Sequence, residues 1–217
     1  PRTASDFVLE IREQAILADK LGYNSAWIGE HHFDRLGVNS RPDILLASIV
    51  PETENIRLAP AVNVLPIHHP IHVAEMWATL DLLSDGRVDY ACGRGYDREE
   101  YIPFGADFMT SAEVFEEGLD VLNKAWTDAG VWSHHGEHYQ IDNMEITPKP
   151  VQEPIPIYVG SFSKTSVDLA ARKGFNIAYA PFAAAMEFGG LKEAVDAYRE
   201  ATIAKGNTPG KAICSYF

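Results

Sequence analysis

Apolar residues recur along the chain in two alternating spacings, one typical of helices and one typical of short strands. Between Phe7 and Ala18 they lie on one helical stripe, which Ser5-Asp6 can cap and Gly22 can end. Short apolar runs bounded by turn residues separate such segments. The pattern predicts helices at 5–21, 42–50, 70–83, 111–126, 163–173 and 191–204, and strands at 25–29, 56–65, 87–92, 157–159, 176–180 and 212–217.

This alternation of strands and helices predicts a parallel sheet, either doubly wound or closed as a (β/α)8 barrel. Polar residues follow nearly every strand, which favours the barrel because its active site lies at the carboxyl ends of the strands. They are His31, His68, Arg94 and Ser163. A dinucleotide-binding fold would carry Gly-x-Gly-x-x-Gly after its first strand, and the sequence has no such motif.

The predicted barrel is incomplete, since six strands are found where a closed barrel needs eight. We expect residues 1–217 to form one domain that lacks the first strand and the last helix-strand part. The alternatives are a second chain that completes the sheet, or a different fold. Residues 130–153 interrupt the alternation and are predicted to form an inserted hairpin around Gly136, followed by a proline-rich connector.

Composition narrows the class of protein. Hydrophobic residues make up 46% and charged residues 23% of the chain, as in globular proteins, and the net charge is −13. Such acidity disfavours nucleic acid and anionic membranes as partners. Cys92 and Cys214 do not form a disulfide framework, and there is no 18-residue apolar stretch or signal peptide. We therefore expect a cytoplasmic protein.

Two segments are suited to binding a phosphate. Gly93-Arg94-Gly95 ends a strand with a guanidinium between two glycines, which let another group approach the backbone. Gly160 to Ser166 joins a strand to a hydroxyl-rich helix start, whose first amides lack internal partners. Each segment alone is equally compatible with an ordinary turn or a serine cap. Together they favour a cofactor that carries a phosphate.

The eight histidines fall into three groups, and none matches a metal-binding motif. Pro70 separates His68 from His72, and the group at 134–138 lies on the predicted hairpin, so no bound metal is expected. His31 differs because it directly follows a predicted strand. There it can exchange a proton near neutral pH, or it can be a structural histidine bonded to its neighbours.

Six segments in order resemble the bacterial-luciferase-like, flavin-dependent monooxygenases, and they span nearly the whole chain. They are Ala26-Trp27-Ile28-Gly29-Glu30-His31-His32-Phe33, Asn63-Val64-Leu65-Pro66 with His69-Pro70, Asp81 to Arg87, Gly93-Arg94-Gly95 with Phe104-Gly105, Pro148-Lys149-Pro150, and Tyr158 to Ser161.

The resemblance implies a TIM barrel with an insertion and a reaction of reduced FMN with O2. In the family a separate reductase commonly supplies the flavin, and a C4a-peroxyflavin oxygenates an organic substrate. For this chain we expect a small or medium apolar substrate, contacted by loops such as Phe182 to Gly189, and a homodimer.

The same resemblance assigns site residues by position. It implies that His31 is the active-site histidine beside the flavin and that Arg94 binds the phosphate. Further cofactor-binding residues implied by it are Ala61, Val62, Asn63, Ser161, Phe162, Ser163, Lys164, Thr165 and Ser166, with a non-prolyl cis peptide bond between Ala61 and Val62. Luciferase itself has a reactive cysteine at the position of Gly93. We interpret Gly93 as leaving room near the flavin, and Cys92 as a core residue.

Three other functions remain open. The deazaflavin F420 can replace FMN in a branch of the superfamily that transfers hydride without O2. Some relatives bind flavin as a non-catalytic subunit, although His31 argues against this. A metal-dependent barrel hydrolase is disfavoured because the ligand motif is absent.

Overall fold

The computed structural model describes residues 2–33 and 37–214, which form an α/β fold. Its strands are β1 (Ser25–Ile28), β2 (Arg57–Pro60), β3 (Asn63–Val64), β4 (Tyr90–Gly93), β5 (Trp132–His135), β6 (Gln140–Met144), β7 (Ile157–Ser161), β8 (Asn176–Tyr179) and β9 (Ala212–Cys214). Its helices are α1 (Ala4–Lys20), α2 (Pro42–Ile49), α3 (Pro70–Leu83), α4 (Ser111–Thr127), α5 (Lys164–Lys173), α6 (Pro181–Phe188) and α7 (Leu191–Ala204). No helix among the described residues is both long and apolar enough to cross a bilayer.

The predicted alternation of strands and helices is confirmed, with corrections at three points. The strand predicted at 56–65 is two short strands, β2 and β3, separated by two residues. Helix α1 begins at Ala4 rather than at Ser5-Asp6, because the side chain of Thr3 and that of Asp6 form a reciprocal capping box. Helix α6 lies where the sequence predicted a loop at Phe182 to Gly189. Pro181 supplies a favourable first-turn residue for this helix, and Gly189 ends it in a left-handed conformation.

Parallel pairing brings the carboxyl ends of the main strands to one edge of the sheet. Strand β1 pairs with β2, and β3, β4, β7, β8 and β9 follow in that order. A bridge between Leu58 and Val88 joins β2 to the segment leading into β4. Within the described residues β1 and β9 do not pair with each other, so the sheet is open there and does not form a closed barrel.

The core is packed on both faces of the central strands, as in parallel sheets generally. All four residues of β4 are buried. On one side Tyr90 packs against Trp77 of α3 and Trp126 of α4, with ring centroids 5.5 and 5.4 Å apart. The thiol of Cys92 is buried, as expected for a core residue, and burial raises its pKa.

The predicted hairpin of β5 and β6 is confirmed and is held on α4 by one carboxylate. Glu117 accepts hydrogen bonds from the backbone amides of Glu137 (3.0 Å), His138 (2.9 Å) and Tyr139 (2.9 Å), and from Nε2 of His134 (3.0 Å). Burial alone would raise the pKa of Glu117, but these hydrogen bonds outweigh it and lower the pKa. His134 is therefore a structural partner of α4.

Strands β2 and β3 are separated by Ala61 and Val62, whose peptide bond is cis, as predicted. The isopropyl group of Val62 lies between the backbones of two neighbouring strands. A Cβ atom at Gly93 of β4 or at Gly160 of β7 would lie only 2.9 Å from a methyl carbon of Val62. Gly93 is therefore needed to admit Val62, a reason for its small size that the sequence did not indicate.

The contact between Val62 and the two glycines predicts a compensating double substitution. We expect Gly93→Ala to lower the free energy of unfolding by about 1–3 kcal/mol through overpacking. Val62→Ala should recover much of that loss in the double variant, because the two sites are in direct contact. Urea unfolding of the four proteins measures the coupling. Gly29→Ala is the matched control, since the atoms nearest to its added Cβ lie at 3.6 Å. Additive effects of Gly93→Ala and Val62→Ala on the free energy of unfolding would contradict the packing argument.

The carboxylate of Glu117 predicts a pH-dependent stability. Its pKa is lower in the folded than in the unfolded state, so its contribution is complete above the unfolded value of about 4.3 and is lost as pH falls through the folded value. We expect Glu117→Gln to reduce the free energy of unfolding at pH 7 by about 1–3 kcal/mol. The difference from wild type should shrink below pH 4. Amide exchange at residues 137–139 should accelerate in the variant, whereas the exposed Glu113→Gln should leave it unchanged.

Candidate functional site

Residues from several strand ends meet at the carboxyl edge of the sheet. His31 follows β1, Ala61 to Asn63 join β2 to β3, Arg94 follows β4, and Ser161 to Ser166 lead from β7 into α5. The ring of Tyr96 connects these segments, since its centroid lies 6.4 Å from that of His31 and 6.2 Å from that of Phe162. The residues that the sequence singled out therefore lie along one edge.

A buried carboxylate accompanies His31. Oε1 of Glu100 lies 3.7 Å from Nδ1 of His31 and accepts a 2.7 Å hydrogen bond from the backbone amide of His32. The Glu100 side chain is 4% exposed, whereas that of His31 is 33% exposed. The backbone of His31 is fixed from the other side by a 3.0 Å hydrogen bond to the carbonyl oxygen of Asn39. His31 thus presents part of its ring to the edge, with an acidic partner behind it.

Glu30 is the centre of a second, more buried network. Its Oε1 accepts hydrogen bonds from Nε2 of His32 (2.8 Å) and Nε2 of His68 (2.6 Å). Its Oε2 accepts from Nδ2 of Asn63 (2.6 Å) and from the backbone amide of Val64 (3.2 Å). Burial alone would raise the pKa of Glu30, but the hydrogen bonds from His32, His68 and Asn63 hold that pKa at about 2. Glu30 is therefore an anion at neutral pH.

The sequence did not predict that Glu30, His32 and His68 lie together. His32 and His68 belong to different histidine groups, and the fold places them on one carboxylate with ligand-type atoms within 4.8 Å of one another. The spacing of Glu30 and His32 was a usable signal, because residues two apart in extended backbone lie on one face. His68 follows a single-turn 3-10 helix, and its approach depends on how the chain folds back from β3.

Arg94 and the first turn of α5 remain available to a ligand. No hydrogen-bond acceptor or carboxylate pairs with the exposed Arg94 guanidinium in the described part of the chain, although it lies 5.8 Å from the ring centroid of Phe108. Gly95 follows at φ 69°, a conformation that favours glycine. At the start of α5, Ser163 Oγ contacts the hydroxyls of Thr165 (2.8 Å) and Ser166 (3.0 Å), and it accepts from the amide of Ser166 (3.4 Å).

Strand pairing accounts for the closeness of these two groups. Strands β4 and β7 are neighbours with Cys92 opposite Val159, so the segments after them begin side by side. Arg94 supplies a positive charge, and the first amides of α5 supply donors with no partner inside the helix. This combination suits an anion such as a phosphate.

Exposed aromatic rings extend the same edge. Phe162 lies between Tyr96 and Phe182 of α6, with centroids 6.2 and 5.5 Å away, and all three side chains are substantially exposed. The segment expected to contact substrate as a loop is thus helix α6, with Phe182 in its first turn. The rings of Tyr96, Phe162 and Phe182 form an apolar surface that reaches His31 through Tyr96.

Two cavities differ in their relation to this edge. A cavity of about 280 Å³ is lined by Glu30, Asn63, His68 and His72, beside the candidate site. A larger groove of about 610 Å³ is lined by residues such as Val50, Leu83 and Arg87, at the amino ends of the strands. We regard only the smaller cavity as part of the site, because the larger one contains none of the residues at the carboxyl edge.

Comparison with known proteins agrees with this arrangement. Residues 3–215 match the family model of the luciferase-like monooxygenases. The oxygenase component of flavin-dependent trigonelline monooxygenase from Acinetobacter baylyi is 30% identical over 176 residues, which are 79% of this chain and 48% of that protein. The chain spans about half the length of the curated relatives it matches.

Two solved structures have a similar fold. The oxygenating constituent of 3,6-diketocamphane monooxygenase from Pseudomonas putida, solved with FMN, has a TM-score of 0.85 and 25% identity over 99% of this chain and 62% of that one. An F420-dependent secondary alcohol dehydrogenase has a TM-score of 0.82 with 20% identity over 95% of this chain and 63% of that one, a likeness of fold alone. Since the family match extends over almost the whole sequence, the chain belongs to the luciferase-like monooxygenase family.

Proposed function

We propose that the protein is a flavin-dependent monooxygenase that uses reduced FMN and O2 to oxygenate a small or medium apolar organic substrate. The observation that carries this proposal is the meeting, at one edge, of three groups: Arg94, whose guanidinium has no acceptor among the described residues, the first turn of α5, and the histidine His31. Family membership supports it. The trigonelline enzyme is an oxygenase component, which supports a separate reductase as the source of reduced flavin here.

The residues at this edge fit FMN. Arg94 and the amides of Lys164 and Thr165 would bind the phosphate, with Ser163 and Ser166 adding hydroxyl donors. The segment from Ala61 to Asn63 and the surface of Ser161 and Phe162 would contact the remainder of the cofactor. When bound, reduced FMN supplies the two electrons that activate O2. We further propose that the strands belong to a (β/α)8 barrel and that the active protein is a homodimer.

His31 is the proposed acid-base group. Its ring is partly exposed beside the apolar surface of Tyr96, and Glu100 faces its Nδ1 from the interior. A carboxylate in that position favours a proton on Nδ1 and leaves Nε2 to hold or deliver a proton at the reacting oxygen. The surface of Tyr96, Phe162 and Phe182 would exclude water and favour an apolar substrate.

The phosphate assignment predicts a loss of affinity. We expect Arg94→Ala to weaken binding of reduced FMN about ten- to hundredfold, because it removes charge-assisted hydrogen bonds. Anaerobic fluorescence titration of the full-length protein measures this affinity. Arg98→Ala is the matched control, an exposed arginine of the same loop that should leave affinity unchanged. Equal affinities for wild type and Arg94→Ala would refute the phosphate role.

The acid-base assignment predicts a kinetic change without a binding change. We expect His31→Ala to alter the rate of flavin reoxidation by O2 at least about tenfold, while the affinity for reduced FMN stays within about twofold of wild type. Stopped-flow absorbance after mixing with O2 gives the rate. His135→Ala on the exposed hairpin strand is the control. Preferential binding of reduced F420, with no reaction with O2, would instead establish the hydride-transfer alternative.

A further inference from the structure

We propose that Glu30 is a positioning residue, whose buried carboxylate fixes both the segment that would contact the flavin and the protonation pattern of His32 and His68. This inference rests on the proposed function, because it concerns the same site. The Glu30 carboxylate binds Asn63, which directly follows Ala61 and Val62, and it also binds the imidazoles of His32 and His68.

The Glu30 carboxylate is the acceptor in all four of its hydrogen bonds. The amide of Val64, the side-chain amide of Asn63 and the imidazoles of His32 and His68 are donors, and the carboxylate is the only acceptor. A buried carboxylate is stable only where such partners replace water. Four donors from three separate segments therefore fix the position of each segment relative to the end of β1.

Asn63 transmits this constraint across the sheet. Its amide group donates to Glu30 at 2.6 Å, and its Oδ1 accepts a 2.7 Å hydrogen bond from the hydroxyl of Tyr90 on β4. Both Asn63 and Tyr90 are buried, so water cannot replace either partner. The side chain of Asn63 consequently has one orientation, which holds the backbone just after the Ala61-Val62 peptide.

The carboxylate also selects the tautomers of two imidazoles. Since Glu30 can only accept, Nε2 of His32 and Nε2 of His68 must each carry a proton. His32 then links this network to the candidate catalytic group, because its backbone amide donates to Glu100, which faces His31. The Glu30 carboxylate has no hydrogen bond to the His31 imidazole in the described structure, so it acts on that ring through these intermediates.

The alternative for the same cluster is a metal ion. One carboxylate oxygen and two imidazole nitrogens within 4.8 Å match a two-histidine, one-carboxylate ligand set. The hydrogen bonds favour the positioning role, because they satisfy the carboxylate fully and require protons on the nitrogens that a metal would occupy. Metal binding is accordingly an outcome that the experiment must be able to detect.

The first measurement is the tautomeric state in Glu30→Gln, in the full-length protein with 15N-labelled histidine. In wild type, two-bond 1H–15N spectra should show His32 and His68 protonated on Nε2, assigned with His32→Gln and His68→Gln. In Glu30→Gln at least one of these two imidazoles should change its protonation pattern, because an amide group cannot accept four hydrogen bonds. Glu99→Gln, an exposed neighbour of Glu100, should leave both signals unchanged. Unchanged signals in Glu30→Gln would overturn the proposal.

The second measurement is affinity for reduced FMN. Glu30→Gln should weaken it roughly tenfold or more through displacement of Asn63. If Glu30→Gln does not fold, Asn63→Ala should weaken the affinity for reduced FMN similarly, while the imidazole signals of His32 and His68 stay as in wild type. Affinity within about twofold of wild type in the folded variant would overturn the positioning role. If wild type itself binds no FMN, the proposed function fails, whereas the tautomer result still decides what Glu30 does to its histidines.

The third measurement is calorimetric titration of wild type with Zn²⁺. The proposal expects no saturable binding that depends on Glu30. Stoichiometric micromolar binding, lost in both Glu30→Gln and His68→Ala but kept in His135→Ala, would make the cluster a metal site and overturn the proposal.

Discussion

Parallel strand pairing is the constraint on which the site depends. Because β1, β3, β4 and β7 run in the same direction, the residues that follow them must emerge at one edge of the sheet. Side chains separated by long stretches of sequence, such as those of His31 and Arg94, are thereby brought into one region without any contact between them. The close packing of Val62 against Gly93 and Gly160 keeps these strand ends together.

Two buried carboxylates organise the hydrogen bonds at this edge. Glu30 and Glu100 hold the His31-His32 dipeptide from opposite sides, one through the imidazole of His32 and the other through its backbone amide. Each carboxylate is nearly inaccessible to solvent, so its hydrogen-bond donors are essential rather than exchangeable with water. Arg94 and the Lys164 and Thr165 residues that begin α5, in contrast, are exposed. The edge therefore has a buried interior organised by carboxylate acceptors and a surface that carries exposed donors.

This division agrees with membership of the luciferase-like monooxygenases and with a cofactor that has a phosphate at one end and an apolar ring system at the other. The apolar surface of Tyr96, Phe162 and Phe182 lies between the proposed acid-base group and α6. The substrate would consequently be selected by residues of the loops after β4 and β7 and of α6, rather than by the strands themselves. Specificity can then change between relatives while the strand edge stays the same.

The sequence by itself determined the order of elements and much of the edge. The helices α2, α3 and α5 could be predicted from the period of apolar residues, from prolines at helix starts and from Gly174 after α5. The end of β4 could be predicted from Gly93-Arg94-Gly95. All of these signals are local preferences of the backbone. Only the tertiary structure decided that Gly93 is small because of Val62, that Glu30 joins His32 to His68, and that Glu100 faces His31. Those contacts join residues far apart in sequence, and their geometry depends on packing and on the partners that a buried charge requires, which no local pattern of residues specifies.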